Sequence, residues 1–329
     1  MVNKHTMEDL KRLQAMPWER KILVSQTRIM EWYHRNDGRV CISFSGGKDS
    51  TVLLHLVRQQ FPDVAASFIN TGLEYPEVVE FVKTFDNVTI IRPKLTFKQV
   101  LEKYGYPVIS KDVALTISGF KRGAAWAVQR MTGTNHDGTI HKFREGLYKR
   151  WRFLLDAPFE INDACCVHIK ENPLKRYSKA GQLVPYIGLL ASESRRRTDA
   201  WLKVGCNLFE GRRARSAPLS FWHEQDILRY IYEYKLPIAS VYGTVEKTNK
   251  GYKTTGLERT GCMFCLFGCH LEKEPNRIQQ MATTHPKLYE YCLRDTEAGG
   301  LGLRRVMEFI GIPYKPFTEG QNENTKNSP

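Results

Sequence analysis

Arg39-Val40-Cys41-Ile42-Ser43-Phe44-Ser45-Gly46-Gly47-Lys48-Asp49-Ser50 is the stretch on which the reading of the chain turns. Its first six residues have the apolar, β-type character of a short strand, and from Asp49 to Phe61 the apolar residues return at helical spacing. Between them lies a glycine turn, so the unit is strand, loop, helix. Gly46 and Gly47 let the backbone turn tightly and leave several N–H groups aimed at an anion on the helix N-terminus. Ser45–Ser50 is therefore expected to cradle phosphate. The spacing is shorter than in the G-x-x-x-x-G-K-[ST] loop of the common NTPases, and the Ser-Gly-Gly comes first. Asp49 falls in the first helical turn, where it serves either as a Mg²⁺ ligand or as a carboxylate favoured by the helix dipole.

Working outward, a strand is predicted at 65–70, a helix at 75–85, a strand at 88–92, a helix at 96–104 and a later strand at 184–190. Such alternation argues for an α/β fold with a parallel sheet and helices on both faces. Residues 7–35 read as two helical pieces separated by Pro17. Residues 111–155 read as a helical insert that mixes Lys121, Arg122, Arg130, Lys142, Arg144, Lys149, Arg150 and Arg152 with Trp126, Phe143, Tyr148, Trp151 and Phe153. That mixture suits either a nucleic-acid contact or an amphipathic helix pair with a solvated face. Short helices are expected over 274–311. The organisation expected is N-terminal helices at 1–38, a main domain at 39–270, C-terminal helices at 271–317 and a disordered polar tail at 318–329.

With 329 residues, 42% of them hydrophobic, the chain is long enough to bury a substantial core. Its formal charge of +14 points to polyanionic partners, nucleotides and nucleic acids among them. No apolar run is long enough to span a bilayer, and Met1–Arg20 lacks a signal peptide's apolar stretch, so a cytoplasmic chain without membrane attachment is expected. The 8 cysteines are too sparse for a disulfide scaffold. Five of them cluster as Cys165-Cys166 and Cys262, Cys265 and Cys269, the pattern of a metal site in a reducing compartment. Cys41, Cys206 and Cys292 read as small buried hydrophobes.

The loop Ser45–Ser50 resembles that of the PP-loop ATP pyrophosphatases, which cleave ATP between its α- and β-phosphates to adenylylate a substrate. The resemblance implies that Ser45, Gly46, Gly47, Lys48, Asp49 and Ser50 hold the pyrophosphate of ATP with Mg²⁺, with Lys48 and Asp49 catalytic. Asn70-Thr71-Gly72 resembles the Asp-Thr-Gly of phosphoadenylyl-sulfate (PAPS) reductases, near the adenosine, with Asn in place of Asp. Gly188 to Arg197, through Glu193 and Ser194, resembles the family's Gly-x-Arg-x-x-Glu-Ser-x-x-Arg, with Leu190 where an arginine is usual. Ser216-Ala217-Pro218-Leu219, Trp222 and Asp226 resemble its Pro-Leu-x-x-Trp-x-x-x-Asp. The likeness runs discontinuously from about residue 39 to 270. It implies an adenine-nucleotide alpha hydrolase-like sheet and a nucleotide site that includes Asn70, Thr71, Gly72, Gly188, Glu193, Ser194 and Arg197.

Ala164-Cys165-Cys166 with Pro173-Leu174, and Gly261-Cys262-Met263-Phe264-Cys265, resemble the cysteine segments of iron–sulfur adenylyl-sulfate reductases. Four thiolates fit a [4Fe–4S] cluster, and they also satisfy a tetrahedral Zn²⁺ or stand as plain buried thiols. Adjacent cysteines favour the cluster, since they reach two irons more readily than one small ion. Cys269 is a fifth candidate, as a neighbouring thiol, a sulfur carrier or a substitute ligand; His168 and His270 read as flanking groups. The chain lacks the C-terminal Glu-Cys-Gly nucleophile of sulfonucleotide reductases, its last cysteine being Cys292. An intact Ser45–Ser50 loop suits ATP, and in joining such a loop to a cysteine-bound cluster the chain resembles the sulfurtransferases of DNA phosphorothioation and is similar to tRNA-thiolating relatives. The reading implied is an ATP-dependent adenylylating sulfurtransferase with a DNA or tRNA acceptor and a sulfur donor such as a cysteine desulfurase. A PAPS or adenylyl-sulfate reductase and a non-catalytic nucleotide- and cluster-binding module are the alternatives.

Overall fold

The computed structural model describes residues 4–134, 137–140, 149–211 and 214–317. Lys142, Phe143, Arg144, Tyr148 and the tail from 318 lie outside the described residues. In chain order the strands are β1 (Val40–Ser43), β2 (Ala66–Ile69), β3 (Val88–Ile91), β4 (Val108–Ile109), β5 (Val184–Ile187), β6 (Asn207–Leu208), β7 (Arg215–Ser216), β8 (Val245–Thr248), β9 (Gly251–Thr254) and β10 (Leu266–Phe267). The chain divides into two compact units, Met1–Pro93 with Glu171–Thr260, and Lys94–Lys170 with Gly261–Pro329. Both are discontinuous in sequence, because the chain leaves the first unit after Pro93, returns at Glu171 and leaves again after Thr260.

The first unit is built on a sheet of order β3-β2-β1-β5-β7-β6, parallel except for β6 against β7. Ile42 of β1 is in register with Ala66 on one side and Tyr186 on the other. A parallel strand covered on both faces reads as continuously apolar, and Val40, Cys41 and Ile42 are 3%, 0% and 0% exposed. The helix Lys48–Gln60 turns Val52, Leu53, Leu56 and Val57 into the core. The helices Pro76–Lys83 and Trp18–Arg35 follow the expected pattern, and Pro17 caps the latter where the sequence placed a break. From β1 the chain runs outward to β2 and then β3 on one side, and β5 pairs with β1 on the other, so the strand order reverses at β1 and β5. In open α/β sheets the crevice beyond the carboxyl ends of strands at such a reversal is where ligands bind.

The segment Pro218–Asp226 belongs to this architecture. Trp222 Nε1 donates to Ser25 Oγ at 2.9 Å, and Ser25 Oγ in turn donates to the Pro218 carbonyl at 2.9 Å. Asp226 accepts from the His223 N–H at 2.8 Å and from Lys21 Nζ at 2.7 Å, the two side chains being 14% and 5% exposed. The Pro-Leu and Trp-Asp residues thus fasten the helix Glu224–Glu233 to the helix Trp18–Arg35. Lys21→Met leaves a shielded carboxylate without its cation, and is expected to cost about 3–5 kcal/mol. The check is a lowered urea midpoint at unchanged slope.

In the second unit β4 and β10 pair in parallel, Val108 with Leu266 and Ile109 with Phe267. The helices Lys111–Lys121 and Ala125–Thr132 form the expected start of the insert, and Arg277–Thr284, Pro286–Leu293 and Leu303–Ile310 are the expected short C-terminal helices. Among the described residues no helix is long and apolar enough to cross a membrane.

Candidate functional site

The loop closes on its own hydroxyls. Ser50 Oγ donates to the Gly47 carbonyl at 2.9 Å and accepts from the Ser45 N–H at 3.2 Å, with Ser45 Oγ at 3.0 Å. Thr51 Oγ1 also donates to the Gly47 carbonyl, at 3.1 Å. Gly46 has φ +71°, and a Cβ there would lie 2.7 Å from Val78 and 2.8 Å from Val82, so only glycine fits. Gly47 is the N-cap residue of the helix, in extended backbone at φ −81° with no side-chain cap. Gly188, at the end of β5, would place a Cβ 3.1 Å from the Ser50 backbone, so its bareness permits the strand to approach the helix start.

Lys48 is 6% exposed. Its ammonium donates to the Glu258 carbonyl at 2.6 Å and pairs with Glu224 Oε1 at 3.1 Å, and it lies 5.5 Å from the Tyr242 ring centroid. The Tyr242 hydroxyl bonds Thr260 Oγ1. Asp49, half-buried, has its carboxyl pushed above the ordinary range, first by burial and also by Glu224, against the pull of Lys48, Arg197 and Arg259. Arg197 pairs with Glu193, and Arg259 stands 3.8 Å from Glu193 and 4.0 Å from Glu224. Three carboxylates, Asp49, Glu193 and Glu224, and three cations, Lys48, Arg197 and Arg259, thus gather at the helix start.

Since the raised carboxyl favours the protonated form of Asp49 in the folded chain, it contributes stability only below the unfolded value and loses it as pH rises through the folded one. Asp49→Asn is therefore expected to melt higher than the parent at pH 7 without nucleotide, with the gap closing near pH 4. Melting at the two pH values checks the sign.

Asn70 Oδ1 accepts from the Gly72 N–H at 3.1 Å, and Thr71 bonds Glu74 through its N–H at 2.9 Å and its hydroxyl at 2.8 Å. These contacts shape the turn after β2, whose carboxyl end lies beside that of β1. Ser194 Oγ caps the helix Arg195–Val204, accepting from the Arg197 N–H at 3.4 Å. Leu190 is 2% exposed, an apolar plug where the arginine of the resembled pattern would stand.

The second unit brings Cys165, Cys166, Cys262 and Cys265 into electrostatic reach of one another. Cys165 Sγ donates to Cys166 Sγ at 4.0 Å. That bond, with burial and the neighbouring thiols, raises Cys165, and the same bond with Lys111 and Lys170 brings Cys166 down to about 6 against its burial. Burial first, then Cys262, pushes Cys265 up to about 11. The Cys262–Cys265 turn closes through the Cys265 N–H on the Cys262 carbonyl at 3.1 Å, and Arg277 Nη1 holds the Cys265 carbonyl at 3.3 Å. Cys269 is 2% exposed and is pushed up to about 12 by burial and then by Glu272. Among the described residues no three His, Cys, Asp or Glu side chains converge closely enough for a single metal ion. The donor chemistry fits a polynuclear iron–sulfur group, which takes thiolates on separate irons: four thiols from two segments of one unit, with Lys111, Lys170 and Arg277 offsetting their charge. His168 stacks on Tyr104 at 4.4 Å and His270 meets the Trp151 ring edge-on at 5.3 Å. Cys41, Cys206 and Cys292 are 0%, 9% and 0% exposed, the buried hydrophobes expected.

Residues 39–111 and 128–266 match the phosphoadenosine phosphosulfate reductase domain, a span that holds the loop, the arginine turn and the four cysteines. The chain belongs to this family. Similar proteins include an uncharacterized protein from Methanocaldococcus jannaschii, 35% identical over 27% of this chain and 23% of that protein. Sulfate adenylyltransferase subunit 2 from Alkalilimnicola ehrlichii is 23% identical over 73% of this chain and 69% of its own. The chain thus spans less than a quarter of the first relative's length. The crystal structure of phosphoadenylyl-sulfate reductase from Candida auris, a phosphate complex, is 14% identical with a TM-score of 0.39, covering 73% of this chain and 92% of that one.

Within the family loop, Tyr242, Glu224, Glu258, Arg259 and Thr260 escape a motif-based reading, because each reaches Lys48 or its neighbours from far along the chain. The one sequence signal is position: Glu258-Arg259-Thr260 immediately precedes Gly261-Cys262.

Proposed function

We propose that the chain is an ATP-dependent adenylylating sulfurtransferase, converting ATP to AMP and pyrophosphate, and that Cys165, Cys166, Cys262 and Cys265 hold a [4Fe–4S] cluster. The observation that carries the first part is the shielded Lys48 ammonium at the N-terminus of the helix that follows β1, beside the glycine turn. There the N–H groups of the loop receive the β- and γ-phosphates, and Lys48 exchanges Glu224 and the Glu258 carbonyl for the departing pyrophosphate. Ser45 and Ser50 hold the loop's shape and turn their hydroxyls to the phosphates. Asp49 would hold Mg²⁺, a cation that offsets the burial cost of its charge. Glu193 keeps Arg197 oriented toward the α-phosphate, whose attack by an acceptor oxygen expels pyrophosphate.

The four thiols, offset by Lys111, Lys170 and Arg277, support the second part. When bound, the cluster would supply a site for holding and handing on sulfur, delivered by a donor such as a cysteine desulfurase. The relatives named sulfate adenylyltransferase subunit 2 support an adenylyl-transfer chemistry and a second protein as partner. A sulfonucleotide reductase needs an accessible thiol nucleophile, and Cys292 is fully buried with its thiol pushed up. ATP–pyrophosphate exchange measured beside reduction of PAPS and adenylyl sulfate tests the proposal. Exchange without reduction is expected; reduction without exchange would replace this reading with the reductase.

A further inference from the structure

The second unit carries a surface that neither the loop nor the cysteines explain. Lys149, Arg150 and Arg152 are exposed, and among the described residues none of them is matched with a carboxylate. Within Lys149-Arg150-Trp151-Arg152-Phe153 there is no acidic residue. The Arg150 guanidinium lies 4.7 Å from the Trp151 ring centroid, and that ring is 8% exposed. Phe153 is 39% exposed, yet its ring is flanked by Trp151 at 6.1 Å and Phe309 at 5.7 Å. Trp151 also meets His270, whose Nδ1 is buried with no hydrogen-bond partner, and His270 directly follows Cys269. Trp151 therefore touches both the cationic strip, through Arg150, and His270 beside Cys269.

The chemistry of the strip selects its occupant. Cations without carboxylate partners take phosphates without breaking an existing pair, and each phosphate contact releases counterions. A ring held by neighbouring rings, with one face in water, loses little freedom when a base stacks on it. Duplexes keep their bases stacked on each other and offer no free face to Phe153. Single strands offer both the phosphate and the base at the spacing of adjacent side chains.

We infer that Lys149–Phe153 docks a single-stranded polynucleotide, its phosphates on Lys149, Arg150 and Arg152 and one base on Phe153, leading toward His270 and the Cys269 turn. This rests on the sulfurtransferase reading for its chemistry and deepens it by naming the acceptor class. DNA and RNA share the recognised groups, and the test separates them.

The experiment is fluorescence anisotropy of the full chain with labelled oligomers of about twelve nucleotides, a size within the usual single-strand footprint. Single-stranded DNA, single-stranded RNA and a duplex of the same sequence are compared between about 50 and 200 mM salt. Both single strands, or one of them, should bind more tightly than the duplex. Replacing Lys149, Arg150 and Arg152 together by Ala should flatten the salt slope by about 2, from three phosphates at roughly 0.7 each. Phe153→Ala should weaken binding about tenfold with the slope intact, and Phe153→Trp should restore it, which a merely folding-related loss would not do. Duplex binding as tight as the single strand, an unchanged Phe153→Ala, or no binding at low salt overturns the inference. Exchange of ATP with pyrophosphate is measured separately without oligomer. Its absence beside intact polynucleotide binding would sink the sulfurtransferase reading and leave the docking strip standing.

Discussion

Lys48→Ala should lower ATP–pyrophosphate exchange by about 10²–10³-fold, the usual cost of removing one group that stabilises developing charge. The ammonium is shielded from water and already aimed from the first turn of the helix Lys48–Gln60, so its charge acts in a medium that screens it poorly. The fold should survive, because the partners left behind are a carbonyl and Glu224, whose side chain is 40% exposed and returns to solvent. Far-UV dichroism and the melting temperature check this beside the kinetics. Gly47→Val is the companion variant. Its backbone lies in extended φ, but a Cβ would sit 3.3 Å from Ser45 Oγ and 3.4 Å from the Tyr242 hydroxyl, in the concavity proposed to receive phosphate. Gly46→Val is the poorer probe, since positive φ and the contact with Val78 and Val82 would distort the loop itself. Exchange at the parental rate in Lys48→Ala and Gly47→Val would remove the loop from the mechanism.

The contrast between these two glycines shows what a sequence can tell and what it cannot. Period and punctuation make the strand Val40–Ser43, the loop and the helix legible, because a buried parallel strand is apolar throughout and a helix start after Gly-Gly has few other readings. Which glycine carries the conformational demand is not legible, since it depends on Val78 and Val82, which a distant helix supplies. The Trp222 and Asp226 positions carry a resemblance to the family pattern, yet their bonds to Ser25 and Lys21 give them a fastening role that no local pattern reveals. Leu190 departs from the pattern, and its burial explains the residue type without a phosphate. Lys111 and Arg277 beside the cysteines were equally unreadable, because they lie 54 and 12 positions away from Cys165 and Cys265 (165 − 111; 277 − 265) in a chain rich in such residues.

The cysteines themselves carry the other large effect. Anaerobically purified chain should contain iron and acid-labile sulfide, about four of each, with a broad shoulder in the blue visible region. Cys165→Ser, Cys166→Ser, Cys262→Ser and Cys265→Ser should each lose most of that iron. A hydroxyl in place of a thiol is a far weaker ligand, and the remaining three cannot complete the set. The loss should reach the fold as well. Cys166 and Cys262 stand 96 positions apart (262 − 166) in one compact unit, so a shared cluster would clasp two remote segments and turn binding free energy into folding free energy. Limited proteolysis should therefore cut the second unit first in these variants, while nucleotide binding by the first unit persists. Cys269→Ser separates the roles: that thiol is 2% exposed and beside Glu272, whose charge opposes its ionisation, so iron content should stay at the parental level. Metal analysis that returns one zinc and no iron would end the cluster reading and leave the nucleotide loop untouched.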